Sequence, residues 1–296
     1  MTTRFGAVGV FGRANAGKST LVNALVGEIV SIVSNRPQTT RKRVLGILTV
    51  DQTQLVFCDT PGLHAIKNKL DAYMNDEIMA TMKGLQAGMY LADLSDIKFD
   101  LDKEYISQLD PDSNMPMFMV LNKSDLVEEA TVEEAVKAYE ELYPFKKIFV
   151  ISAHKKKGLK QLLQALCRAV PKGPHAYDAD DYTSLTEREI VEESIREVIL
   201  RSFEQEVPHS VAVQVEQFKE RENGKTYIEA ILNVEREAHK KIIIGKDGTQ
   251  IKKIGKIARE KLNTILGRDI FLQLWVKVRP DWRHNDLWIQ RLGYKK

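Results

Sequence analysis

Short apolar runs near Phe5–Phe11, Val44–Val50, Leu55–Cys58, Met89–Leu94, Met117–Leu121 and Ile148–Ile151 alternate with stretches of helical period through the first half of the chain. Near-continuous apolar strands alternating with helices predict a largely parallel sheet covered on both faces. The helical stretch Leu159–Ala169 is stopped by Pro171-Lys172-Gly173-Pro174, and Tyr177–Ser184 is polar without periodicity. A linker is therefore expected at 171–185, between a first domain at 1–170 and a second at 186–296.

The second domain opens on Thr186-Glu187-Arg188-Glu189, a capping-box pattern in which Thr186 starts a helix and Glu189 reaches back to it. Ile190, Ile195, Val198, Ile199 and Phe203 continue one face of that helix. Two strands follow, Ser210–Phe218 and Thr226–Val234, with Glu222-Asn223-Gly224-Lys225 as a hairpin turn. The remaining pattern predicts a helix ending in Ile242-Ile243-Ile244, a second from Thr249 to Leu266, a strand Ile270–Val278 and a terminal helix.

Composition narrows the class. Of 296 residues, 43% are hydrophobic and 29% charged, proportions that support packed globular cores. No run approaches the ~18 apolar residues of a membrane span, and Met1 leads almost directly into a strand pattern, so no signal peptide is expected and the cytoplasm is the expected compartment. Cys58 and Cys167 lack the spacing of a metal cluster and are expected as small buried hydrophobes. The net charge of +3 conceals an asymmetry: residues 181–235 hold thirteen acids against six bases, and 236–296 hold sixteen bases against six acids. The C-terminal stretch is suited to an anionic partner.

Four short stretches carry the chemistry of the first domain: Gly12-Arg13-Ala14-Asn15-Ala16-Gly17-Lys18-Ser19, Asp59-Thr60-Pro61-Gly62, Asn122-Lys123-Ser124-Asp125 and Ser152-Ala153-His154. The first is a phosphate-binding loop, whose glycines let backbone N–H groups and the next helix N-terminus surround phosphate oxygens. Gly12, Asn15, Ala16, Gly17, Lys18, Ser19 and Thr20 are its expected contacts, with Lys18 meeting the β- and γ-phosphates. Asp125 is placed to accept from the ring N–H and exocyclic amine of guanine, donors that adenine lacks. Asn122 belongs to the same base site, where Lys123 packs over the base plane and Ser152-Ala153 offers a backbone N–H to the guanine oxygen. The combination points to GTP as substrate, with Mg²⁺ held by Ser19, Asp59 and a threonine of Arg36-Pro37-Gln38-Thr39-Thr40-Arg41. Either threonine fits that role, with Thr40 favoured. Gly62 lets its N–H approach the γ-phosphate.

The catalytic machinery is less well supplied. Leu63 follows the second motif where many small GTPases place the glutamine that orients attacking water. No single catalytic residue is assigned; Asn15, Lys18, Thr40 and Gly62 are the candidates. Slow intrinsic turnover is expected, and Asn15 is a candidate ligand for a monovalent cation such as K⁺ beside Mg²⁺.

In the second domain, Ile244-Gly245-Lys246-Asp247-Gly248 joins two predicted helices and is followed by Lys252, Lys253 and Lys256. A Gly-x-x-Gly loop so placed has the form of a KH element, which clamps about four unpaired nucleotides. Ile244, Gly245, Lys246, Asp247, Gly248, Lys252 and Lys253 are the expected RNA contacts. Trp282 and Trp288 are either stacking platforms or pins for the terminal helix, the second being favoured. The fold expected is an α/β P-loop GTPase domain followed by an α+β type II KH domain.

Gln38-Thr39-Thr40-Arg41, Asp59-Thr60-Pro61-Gly62-Leu63-His64, the KH half, Trp282–Asn285 and Leu292-Gly293-Tyr294 together closely resemble the Era family of bacterial GTPases over essentially the whole chain. The resemblance implies a protein that binds the 3′ end of small-subunit (16S) ribosomal RNA, assists maturation of the small ribosomal subunit and leaves after hydrolysis. It also implies loose peripheral association with the inner membrane, and a monomer is expected. A switch is predicted, in which GTP and Mg²⁺ order Thr40 and Gly62 and change the availability of the RNA groove. The competing readings are a constitutive RNA-binding protein whose nucleotide only stabilises the fold, and a membrane-linked signalling GTPase.

Overall fold

The computed structural model describes residues 2–34, 36, 38–62, 66–108, 115–221 and 224–294. Contacts divide the chain into two compact units, Met1–Ala65 with Met74–Ser184, and Ile66–Tyr73 with Leu185–Lys296. Leu63, His64, Pro37, Glu222 and Asn223 lie outside the described residues.

Six strands form the sheet of the first unit: β1 (Arg4–Gly12), β2 (Val44–Val50), β3 (Thr53–Asp59), β4 (Ala87–Asp93), β5 (Met117–Asn122) and β6 (Lys147–Val150). Their order is β2-β3-β1-β4-β5-β6, with β2 antiparallel to β3 and the other pairs parallel. Helices α1 (Lys18–Val26), α2 (Lys69–Met82), α3 (Phe99–Ile106), α4 (Glu129–Glu140) and α5 (Leu159–Ala169) complete this half of the element order. Val8, Val10, Met89, Leu91, Phe118 and Val120 share one core with Leu21 and Val22 of α1 and Leu162 and Leu166 of α5. Tyr90, Ala92, Met117, Met119 and Leu121 alternate into a second core with Ile78 of α2, Ile106 of α3 and Tyr139 of α4. Both faces of the central strands are therefore dry, which is why they read as unbroken apolar runs instead of alternating ones.

The stretch read as a linker runs along this first unit. Phe5 N–H donates to the Pro171 carbonyl (3.2 Å), Ile47 N–H to that of Tyr182 (2.9 Å), and the Gln54 amide oxygen accepts from Ala176 (2.9 Å) and Tyr177 (3.0 Å). Its backbone is satisfied by strands and one side chain, so it needs no periodicity of its own.

The second unit contains α6 (Glu187–Ser202), β7 (Ala212–Glu220), β8 (Thr226–Val234), α7 (Glu237–Ile244), α8 (Thr249–Leu266), β9 (Ile270–Val278) and α9 (Asp286–Arg291). Thr186 and Glu189 make the expected capping box. The sheet order is β7-β8-β9, with β8 antiparallel to β7 and parallel to β9. Strand β7 starts two residues later than its apolar pattern because Pro208–Ser210 form a 3₁₀ turn. Val191, Ile195 and Ile199 of α6 pack with Ile228, Ala230 and Leu232 of β8 and with Ile254, Ala258 and Leu262 of α8. Trp282 is fully buried, donates to the Ser210 carbonyl at 2.8 Å and stacks on Tyr294, so it pins the C-terminal segment to its own domain. No helix among the described residues is long and apolar enough to cross a membrane.

Candidate functional site

The phosphate loop occupies the turn between β1 and α1, beyond the carboxyl end of a central parallel strand. Gly17 has φ +95°, and a Cβ there would stand 2.3 Å from Asn122 Nδ2, so only glycine fits. Lys18 is buried and its ammonium donates to the carbonyls of Gly12 (2.9 Å) and Arg13 (3.0 Å). Burial pushes this ammonium down to about 8, while Asp59 pulls it back up. An open cleft is lined by Asn15, Gly17, Lys18, Ser19, Thr20, Thr40, Gly62 and Lys123 among others. The loops after β1 and β3 and the segment before β2 therefore meet at one place.

Asp59 ends β3 with no exposed surface, and neither carboxylate oxygen has a hydrogen-bond partner among the described residues. Burial raises this carboxyl above its ordinary range, although Ser19, Lys18 and Ser31 pull it down. Thr60 holds the segment by donating to the Val10 carbonyl at 2.8 Å. Ser19 and Thr40 meet hydroxyl to hydroxyl at 3.0 Å, whereas the Thr39 hydroxyl turns back to the Arg36 carbonyl at 2.6 Å. Two neutral oxygens and a buried carboxylate without a hydrogen-bond partner among the described residues fit a hard divalent cation such as Mg²⁺.

At the base end, Asn122 acts on the scaffold. Its Nδ2 donates to the Ala16 carbonyl (2.9 Å) and its Oδ1 accepts from Ala153 N–H (3.0 Å), joining the phosphate loop to the loop after β6. Lys123 has φ +65° and its ammonium is hydrogen-bonded to Asp93 at the end of β4. Asp125 is exposed, outside the residues lining the phosphate cleft, and held below the ordinary carboxylate range chiefly by the Ser152 hydroxyl, with His154 and Lys155 adding to it. A charged, accessible acceptor suits the edge of guanine.

In the second unit, α7 ends at Ile244 and Gly245 turns the chain with φ +71°; a Cβ there would meet the Gln250 N at 3.0 Å. Lys246 and Asp247 are exposed on the turn to α8. A groove between α8 and β9 is lined by Lys252, Gly255, Lys256, Arg259, Phe271 and Gln273 among others. Lys253 lies on a different cleft, between α6 and α8, with Arg201 and Lys261. Gly255, Arg259 and Phe271 were not singled out from sequence; the helical spacing 252, 255, 256, 259 is the signal that joins them to Lys252.

A family model described as 50S ribosome-binding GTPase matches residues 7–123, and a KH domain model matches residues 206–283. The chain is 41% identical over 295 residues to GTPase Era of Ruminiclostridium cellulolyticum, covering 100% of this chain and 99% of that protein. It is 42% identical to GTPase Era of Caldanaerobacter subterraneus subsp. tengcongensis, with 99% of each covered. Among solved structures, Era in complex with MgGDPNP and nucleotides 1506–1542 of 16S ribosomal RNA superposes with a TM-score of 0.96 at 33% identity, covering 99% of this chain and 100% of that one. An Aquifex aeolicus Era variant bound to GDP and AlF₄⁻ gives 0.95 at 33% identity, with the same coverage.

Proposed function

Since the chain belongs to the Era family of GTPases, we propose that it binds single-stranded RNA from the 3′ end of small-subunit ribosomal RNA in the α8–β9 groove, under control of its guanine nucleotide. It is a GTPase with a KH domain. The reading rests on the groove: a Gly245–Gly248 turn leads into α8, whose Lys252, Lys256 and Arg259 line it, in a chain that superposes on an Era bound to such an RNA. Exposed cations beside apolar walls are what a short unpaired strand requires. By this role the protein assists maturation of the small ribosomal subunit and leaves once GTP is hydrolysed. Titrating an oligonucleotide of the 16S 3′ end in the presence of a GTP analogue or GDP tests it. Tighter binding with the analogue is expected; equal affinity in the two states defeats the switch, and unaltered affinity after disruption of Lys246 and Asp247 defeats the groove.

Within the pocket, Gly12, Asn15, Ala16, Gly17, Lys18, Ser19 and Thr20 cradle the phosphates, and Asn122, Lys123, Asp125, Ser152 and Ala153 form the base end. Ser19, Thr40 and Asp59 would hold Mg²⁺, which when bound would neutralise phosphate charge during transfer. The unpaired oxygens of Asp59 support this assignment. Leu63 supplies no group to orient water, so intrinsic hydrolysis is slow. Asn15, exposed and held at φ +65° over the cleft, is the candidate ligand for a monovalent cation such as K⁺, which it would hold beside Mg²⁺. Faster hydrolysis in potassium than in sodium buffer is expected, and equal rates reject the ion. The protein is a cytoplasmic monomer whose basic C-terminal stretch makes peripheral contact with the inner membrane; liposome sedimentation set against ribosome co-sedimentation tests that placement.

A further inference from the structure

The phosphate loop carries a charged residue, Arg13, whose side chain does not line the phosphate cleft. Its guanidinium turns inward: Nε donates to Asp102 Oδ1 at 2.9 Å and Nη2 to the Asp96 carbonyl at 2.7 Å. Asp102, on α3, is fully buried, and its oxygens also accept from the hydroxyls of Tyr90 (2.7 Å) and Tyr139 (2.6 Å). A carboxylate is sustainable there only because one cation and two phenols surround it. Burial pushes both phenols up, so they remain donors at neutral pH.

The same segment reaches the base end. Asp93 caps the 3₁₀ turn Leu94–Asp96 through Ser95 N–H (2.9 Å) and hydroxyl (2.6 Å), and its second oxygen is hydrogen-bonded to the Lys123 ammonium. Residues Asp93–Asp102 thus grip Lys123 at one end and Arg13 at the other. The Arg13 carbonyl in turn accepts from the Lys18 ammonium at 3.0 Å. An unbroken set of contacts runs from the lysine of the guanine motif to the lysine of the phosphate loop, through Arg13 of that loop and through Asp93–Asp102, which belongs to neither motif.

We propose that Asp93–Asp102 is a brace that sets the spacing of the base and phosphate ends of the pocket, with Asp102 acting through Arg13 and Asp93 acting through Lys123 as positioning residues. It rests on this pocket holding a guanine nucleotide, which titration of the wild-type chain establishes first, and it is independent of the RNA groove. A device that holds both ends equally in ground and transition states changes KM and nucleotide release while leaving kcat alone.

The test uses full-length Asp102→Asn, Asp93→Asn and the double variant, with GTP turnover and GDP dissociation as readouts. Each single change is expected to raise KM about tenfold and speed GDP release with kcat within about twofold, and the double variant to lose less than the product of the two. KM and release within about twofold of wild type in both single variants overturn the brace, as do losses that multiply, which describe two separate local contacts. Should Asp102→Asn not fold, Tyr139→Phe takes its place, alone and combined with Asp93→Asn, since it removes one donor to Asp102 and leaves the Arg13–Asp102 ion pair; the same non-multiplicative loss is expected and the same two outcomes overturn it.

Discussion

At the scale of single residues, the atoms that matter most are those whose partners are main chain. Asn122 donates to Ala16 and accepts from Ala153, so Asn122→Ala strands a buried carbonyl and a buried N–H on two different loops. Each costs about 1–3 kcal/mol when left unsatisfied; most of this falls on stability, and the part that falls on nucleotide binding through the displaced loops is expected to be a loss of roughly tenfold to a hundredfold in GDP affinity, about 1.4–2.7 kcal/mol, by fluorescent-nucleotide titration. Glu235 makes a further test. Burial pushes its carboxyl up, but the hydrogen bond (2.5 Å) and charge of Arg283 outweigh this and hold it below the ordinary range. A depressed folded value means that the contribution is complete above the unfolded value and is lost as pH falls through the folded one. Glu235→Gln is expected to lower stability by about 1–3 kcal/mol at neutral pH, with the gap to wild type closing below about pH 4.5 in denaturant melts.

At the scale of elements, α8 shows how far sequence reasoning reaches. Ile254, Ala258 and Leu262 mark its buried side by period alone, and the helix from Thr249 to Leu266 matches its expected bounds. Lys252 and Lys253 look equivalent in sequence, yet they stand about 100° apart on the helix, and which neighbour each faces is decided by β9 and α6, elements distant along the chain. Likewise the strand pattern predicts each sheet's members, and residues of three motifs, Lys18, Gly62 and Lys123 among them, line one cleft. The Arg13–Asp102 contact spans 89 residues between two positions with no motif spacing, so nothing local announces it. Gly255 carries its own prediction. It sits in the interior of α8 on the groove, and an added Cβ would meet only Leu274 Cδ1, at an ordinary 3.7 Å. Gly255→Ala is expected to stabilise the helix by up to about 1 kcal/mol. The intruding methyl is expected to weaken RNA binding by about 1 kcal/mol, roughly fivefold, so that melting temperature and RNA affinity move in opposite directions.

For the whole molecule, the charge asymmetry between residues 181–235 and 236–296 becomes a measurable salt dependence. If Lys252, Lys256 and Arg259 each neutralise one phosphate of a single strand, replacing all three with glutamine reduces the slope of log affinity against log salt by about two, at roughly 0.7 per contact. An unchanged slope places the phosphates elsewhere. The nucleotide pocket obeys a different economy, because it is assembled from loop ends that no single helix or strand spans. Its rivet, Asn122, grips a carbonyl and an N–H that every amino acid except proline supplies in full. Under mutational drift, positions 16 and 153 are therefore free to change within the room their burial allows, while position 122 is not. Selection on the joint falls on one codon, and a chemical probe aimed at that joint meets a target whose mutational escape is confined to the same codon.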